Sequence, residues 1–157
     1  MNKENSVLSY WTKLSGYPGG KYFFSKVVQF KAPYFRTVNA IIDELRPNYA
    51  RLHISKRRSV ENHIGTVHVI AICNLLEMAM GVMAEASVPP HLRWIPKGMT
   101  VDYTAKAGSD ITGIAEIIGG EWMPGDIEVK VTALDQQGVV VVSGTIRLWI
   151  SDNPKRS

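Results

Sequence analysis

Between Val67 and Ala86 the chain is almost continuously apolar: Val69, Ile70, Ala71, Ile72, Leu75, Leu76, Met78, Met80, Val82 and Met83 cover every face of a helix. A helix with no water-facing side must be wrapped by other elements. At ~1.5 Å per residue such a helix is nearly long enough to span a bilayer. His68, Asn74 and Glu77 argue against that, because an acid near the middle of a spanning helix costs about 2.5 kcal/mol or more. The segment therefore reads as the core helix of a folded domain. Glu77 is its only acid before the far end, and a carboxylate among oily neighbours needs either a partner or a chemical role.

The flanks read as sheet. After Pro89-Pro90 the residues alternate: Met99, Val101 and Tyr103 share one face, Ile111, Ala115 and Ile117 continue it, and Ile127, Val129 and Val131 repeat it beyond Gly119-Gly120 and Met123-Pro124-Gly125. Asp135-Gln136-Gln137-Gly138 is a hairpin turn, followed by a long strand through Val140, Val142, Ile146, Leu148 and Ile150. These four strands are expected to form an antiparallel meander. Upstream, 34 to about 45 and 49 to about 56 suit a strand pair joined through Arg46-Pro47-Asn48. The fold class is thus α+β, about six antiparallel strands curled round one helix. Two short helices precede it: Val7, Leu8, Trp11 and Leu14 mark the first, and Phe23, Phe24, Val27 and Val28 are expected as the buried stripe of the second. The division expected is a helical extension over 1–33, a domain over 34–152 and a tail over 153–157.

Composition limits the function classes. The chain has 157 residues, 45% hydrophobic and 20% charged, which suits one compact domain. The lone Cys73 lies in the apolar helix, so no disulfide framework exists and a reducing, cytoplasmic setting is expected. The N-terminus is polar and carries Glu4, with no apolar stretch behind it, so a secretory signal is not expected. A net charge of +4, with short basic runs at Lys56-Arg57-Arg58 and Lys155-Arg156, lacks the long basic stripe of a nucleic-acid surface. The first run reads as a solvated loop, or else as a patch for an anionic carrier. No nucleic-acid or membrane partner is expected. His53, His63, His68 and His91 have no acid or thiol at metal-ligand spacing, so no metal is expected. A Gly-x-Ser-x-Gly elbow, a phosphate loop and a dinucleotide fingerprint are all missing.

The run Asn62-His63-Ile64-Gly65-Thr66-Val67-His68, with Glu77 nine residues after His68 and Lys97-Gly98-Met99 further on, carries a resemblance. It resembles the hotdog-fold acyl-CoA thioesterases of the phenylacetate-degradation and 4-hydroxybenzoyl-CoA type, together with their uncharacterised DUF4442-like branch, over about 34 to 150. The resemblance implies that Asn62 positions the helix start or the attacking group, that the backbone N–H of Val69 polarises a thioester carbonyl, and that Glu77 is base or nucleophile. It further implies a coenzyme A thioester as substrate, with no resident cofactor. Two departures stand out. Val69-Ile70 replaces the two glycines that usually follow the histidine, and Thr100 is the nearest residue to an assisting Ser or Thr.

The residues themselves point the same way. A helix starting near Val67 or His68 offers unpaired amides and partial positive charge to a developing oxyanion. Glu77 lies ~13 Å further along the axis and about half a turn round, so one chain cannot bring both to one carbon. A shared site in a homodimer, or a dimer of dimers, follows, and a second copy also supplies the missing cover for the helix. Gly65, Asn74, Gly81, Lys97 and Thr100 are the candidate substrate-contacting residues; Asn74 could also hydrogen-bond Glu77. His68 reads as a capping residue or an acid–base group. Thioester hydrolysis is the first reading. A non-catalytic acyl-ligand binder or structural dimer is the second, and a dehydratase or hydratase the third.

Overall fold

The computed structural model describes residues 5–154; the polar residues 1–4 and the Lys155-Arg156 pair lie outside the described residues. Two helices come first, α1 (Ser6–Ser15) and α2 (Gly20–Lys31). Asn5 caps α1 by accepting the Leu8 amide, and α1 packs on α2 through an edge-to-face contact of Trp11 with Phe24. Strands β1 (Ile41–Arg46) and β2 (Tyr49–Ile54) form a hairpin turned by Pro47 and Asn48, the latter at φ 62. The helix α3 (Val69–Ser87) follows, then β3 (Leu92–Tyr103), β4 (Ile111–Glu116), β5 (Gly125–Leu134) and β6 (Val140–Asp152).

The six strands form one antiparallel sheet in the order β1-β2-β4-β5-β6-β3, curled about α3. Ile72, Leu75, Leu76, Met78, Met80 and Met83 of α3 are buried against inward residues of the sheet such as Leu52, Ile111, Val129, Ile146 and Leu148. The α3 segment is long and apolar enough to cross a membrane by length and composition, yet most of it is enclosed in this core.

Several local expectations are corrected. Pro33–Thr37 wind a short 3₁₀ turn instead of opening a strand, because Pro33 presets the helical φ and the Thr37 hydroxyl donates back to the Tyr34 carbonyl. Asn39, at φ 56, then reverses the chain, so β1 starts only at Ile41. The last four strands are not a simple meander: β3 pairs with β6 at the far edge, and only β4, β5 and β6 run in sequence. β3 also starts earlier than the alternation suggests, at Leu92, since Pro96 sits at a bulge of an edge strand and does not stop it. In α2 the buried face is Phe24, Ser25 and Gln29, while Phe23 and Val27 are exposed.

That reversed face explains how the sheet ends. The Ser25 hydroxyl accepts the Ile42 amide at 2.8 Å, the Gln29 side-chain amide donates to the Ala40 carbonyl at 2.6 Å, and the Lys21 amine donates to the Asp43 carbonyl. The α2 side chains thus occupy backbone groups along β1, which blunts that edge. The opposite edge, β3, has no such cover among the described residues.

Candidate active site

The segment before α3 is built on Asn62. Its side-chain oxygen accepts the amides of Ile64 and Thr66, each at 3.1 Å, and its side-chain amide donates to the Thr66 hydroxyl at 2.8 Å. The Asn62 backbone N–H donates to the Thr66 carbonyl, and Gly65, at φ +76, supplies the left-handed residue of this tight turn. Two further bonds fasten the turn to the domain, from the Val67 amide to the Ala107 carbonyl at 2.8 Å and from the His68 amide to the Val60 carbonyl at 2.7 Å. The start of α3 is therefore fixed from both sides.

His68 is the N-cap of α3, and its Nδ1 accepts the Ile70 amide at 3.1 Å. Accepting at Nδ1 places the ring hydrogen of the neutral imidazole on Nε2. The Val69 amide, at the first helical position, meets no acceptor among the described residues.

This helix tip opens into a cavity of about 320 Å³. Asn62, Thr66, His68 and Val69 line it at the helix entry, and Tyr103, Lys106 and Ala107, from the end of β3 and the loop after it, line it as well. Val67, Ile72, Val141 and Val142 make a buried apolar floor. His63, Tyr103 and Lys106 are exposed at the mouth, and Lys106 has no ion-pair partner among the described residues. The lining contains no carboxylate. An oxyanion at the helix tip is thus favoured by dipole and cation alike, but the cavity offers no carboxylate to act as base.

Glu77 is elsewhere. It is exposed, on the stripe of α3 left uncovered by the sheet, with Ile70 and Cys73 before it and Gly81 after it. Glu77 thus faces outward on the stripe of α3 that the sheet leaves open, and only another molecule could desolvate it. Burial first, and the neighbouring Glu77 charge second, push the Cys73 thiol up from its ordinary value, which argues against a thiolate nucleophile here.

The other candidates are dispersed. Asn74 is buried and turned away from Glu77, its amide donating to the Thr37 hydroxyl at 3.0 Å while its Oδ1 has no partner. Gly65 shapes the turn without lining the cavity. Gly81 lies one turn beyond Glu77, beside the Trp94 ring. Lys97 pairs with Asp126 at 3.0 Å and lies over the Trp149 ring, and Thr100, opposite Thr145, faces away from the helix; neither lines the cavity. Of the basic run, Lys56 pairs with Glu61 within the loop and Arg57 ties the loop to the carbonyls of Thr37 and Val38, so two of its three cations are used in holding the fold. Sequence reasoning missed Tyr103 and Lys106 as site residues. The apolar alternation of β3 was the only signal near them.

A curled antiparallel sheet round one long helix, with a pocket at the helix tip, defines the hotdog fold. The chain belongs to the DUF4442 family, a domain of unknown function, which matches residues 20–150. It is similar to a structural-genomics crystal structure of unstated activity at 37% identity and TM-score 0.80, covering 96% of this chain and 99% of that one. It shares its fold with a protein of unknown function from Pseudomonas aeruginosa described as a probable thioesterase, at 22% identity and TM-score 0.72 over 81% of this chain and 92% of that one. A thioesterase family protein from Silicibacter pomeroyi is similar at 19% identity and TM-score 0.70, covering 82% and 96% respectively. A search of curated proteins found no match.

Proposed function

We propose that the protein is a thioesterase that hydrolyses an acyl thioester at a site assembled from two copies of the chain. The observation that carries this reading is complementarity: the cavity has a free amide and a cation but no carboxylate, and the carboxylate of the same helix stands exposed on its uncovered stripe. Two copies related by a twofold axis, joined through the open β3 edge with their α3 stripes facing, would bring Glu77 of one to the α3 tip of the other. Thioesterase-family neighbours of the same fold support the reaction class.

In this reaction the thioester carbonyl oxygen accepts the Val69 N–H, and the acyl group occupies the apolar floor. The cavity lies at the small end of ligand pockets, ~300 to ~1,000 Å³, which suits a short or medium acyl chain. Water gives a proton to Glu77 of the partner subunit and adds to the carbonyl carbon, and the tetrahedral intermediate collapses by breaking the C–S bond. The thiolate takes up the proton, leaving a carboxylic acid and a free thiol. Direct attack by the carboxylate would instead pass through an anhydride, opened by water. A single turnover in heavy-oxygen water separates the two, since only the anhydride route leaves label in Glu77. Lys106 at the mouth would meet an anionic carrier such as coenzyme A.

A thiol-release assay over a panel of acyl-CoA esters, run on the wild type and on Glu77→Gln, tests the proposal. One observation favours the second reading, a non-catalytic acyl-ligand binder: His68 already occupies the Ile70 amide, which leaves fewer donors for an oxyanion. Tight acyl-CoA binding without thiol release would select it.

A further inference from the structure

Residues 5–42 contain five cations, Lys13, Lys21, Lys26, Lys31 and Arg36, and no acid. This segment alone exceeds the net charge of +4 of the whole chain. None of the five is in an ion pair among the described residues. While Trp11 and Phe24 are buried, other aromatics of the same segment are exposed: Phe23 is 58% exposed, Phe30 79% and Tyr34 70%, with Val27 between them.

The two features share one face. At ~100° per residue, Phe23, Val27 and Phe30 fall within a sector ~60° wide, with Lys26 ~40° to one side and Lys31 ~40° to the other. The aromatics cannot simply turn inward, because Ser25 and Gln29 on the opposite face are bonded to the backbone of Ile42 and Ala40. A contiguous apolar stripe held towards water in this way marks an interaction surface. A second copy is a poor occupant, since a twofold contact would set unpaired cations against their own equivalents. The stripe also lies beside β1, at the sheet edge remote from β3, so a dimer through β3 leaves it free.

We propose that α2 and the turn after it dock on an anionic lipid surface, with Phe23, Val27, Phe30 and Tyr34 entering the headgroup–acyl boundary and Lys26, Lys31 and Arg36 meeting headgroup phosphates. A basic helix with an aromatic stripe lies in the plane of such an interface, where each cation adds attraction to anionic headgroups. The expectation of no membrane partner came from the central helix, which keeps its place in the core; the surface proposed here is a peripheral one and is independent of the thioesterase reading.

Vesicle flotation of the full chain tests this. Vesicles containing phosphatidylglycerol are expected to carry the protein at low salt and release it at high salt, while pure phosphatidylcholine vesicles leave it behind. Phe23→Ser with Phe30→Ser, and separately Lys26→Gln with Lys31→Gln, are each expected to weaken partitioning by about tenfold or more without changing the melting temperature. The proposal is overturned if the wild type does not float with anionic vesicles, or if the phenylalanine variant floats as well as the wild type, which would leave only diffuse charge attraction. A changed oligomeric mass in that variant would likewise overturn it by assigning the stripe to a contact between copies.

Discussion

His68 Nδ1 accepts the Ile70 amide hydrogen at 3.1 Å, and this bond divides the first turn of α3 between two tasks. The Ile70 donor is used by the cap, and the preceding donor, on the cavity-lining residue Val69, meets no acceptor among the described residues. The bulk of Val69-Ile70 does not remove that donor, because the amide belongs to the backbone.

Val69→Pro is therefore an unusually clean test of the helix tip. Proline is well tolerated at the first helical position, and His68, at ψ 132, already has the extended backbone that a following proline needs. The variant is expected to stay within about 1 kcal/mol of wild-type stability while losing roughly 10²- to 10³-fold in kcat, the usual cost of one oxyanion donor. Thermal melts and a thiol-release assay check both halves.

Asn62 should act through geometry. Asn62→Ala removes three side-chain hydrogen bonds of the turn, at about 0.5–1.5 kcal/mol each, and lets the helix tip drift. Asn62→Asp keeps an acceptor for the Ile64 and Thr66 amides. We expect the aspartate variant to retain most of the stability and turnover lost by the alanine variant, measured by denaturant unfolding alongside steady-state kinetics.

The central helix was legible because an all-round apolar run has so few ways to be covered, and β6 because Val142, Ile146, Leu148 and Ile150 alternate into the core. What escaped is non-local. Nothing near Leu92 says that its strand will pair with β6 at the far edge, and Pro96 disguises the strand by sitting at its bulge. In α2 the pattern inverts: two polar residues, Ser25 and Gln29, turn inward because the backbone of β1 needs partners, and phenylalanines are left outside. Tyr103, at the end of β3, and Lys106, in the loop that receives the Val67 amide at Ala107, reach the cavity through contacts remote in sequence. The spacing from Asn62 to Glu77 named candidates at two separate points of α3; which stripe of α3 the strands leave open, and so the exposure of Glu77, is decided by the sheet.

Two glycines should respond unequally to alanine. A Cβ at Gly144 would lie 2.0 Å from the Thr100 carbonyl oxygen and 2.7 Å from the Val101 Cα, backbone atoms of the paired strand that cannot give way. At Gly113 it would meet Leu75 Cγ at 2.8 Å, a side chain able to shift. Gly113→Ala is expected to cost about 1 kcal/mol, and Gly144→Ala about 3 kcal/mol with weakened assembly through β3. Denaturant melts and sedimentation compare them.

His53 should give the fold a pH dependence. Its Nδ1 donates to the Asp43 carboxylate at 2.8 Å; this hydrogen bond raises the His53 pKa above its ordinary value of 6.5, opposed by burial and aided by the charges of Asp43 and Asp110. A raised folded-state pKa means that the unfolded chain loses its proton first. The contribution is thus fully present below about pH 6.5 and is lost as pH rises through the shifted value. Asp43→Asn should flatten this dependence in unfolding experiments run across that window, and an unchanged slope would remove the pair from the account.

The shared site is tested most directly by subunit mixing. Val69→Pro disables the helix tip of one copy and Glu77→Gln the carboxylate of the other, so each homodimer is expected to be nearly inactive. After unfolding and refolding together in equal amounts, random pairing gives mixed dimers in which one of two sites is intact, and thiol release should return to about a quarter of the wild-type rate per chain. A mixture that stays as inactive as its components would contradict a site built from two molecules, and so would a Glu77→Gln homodimer with undiminished turnover.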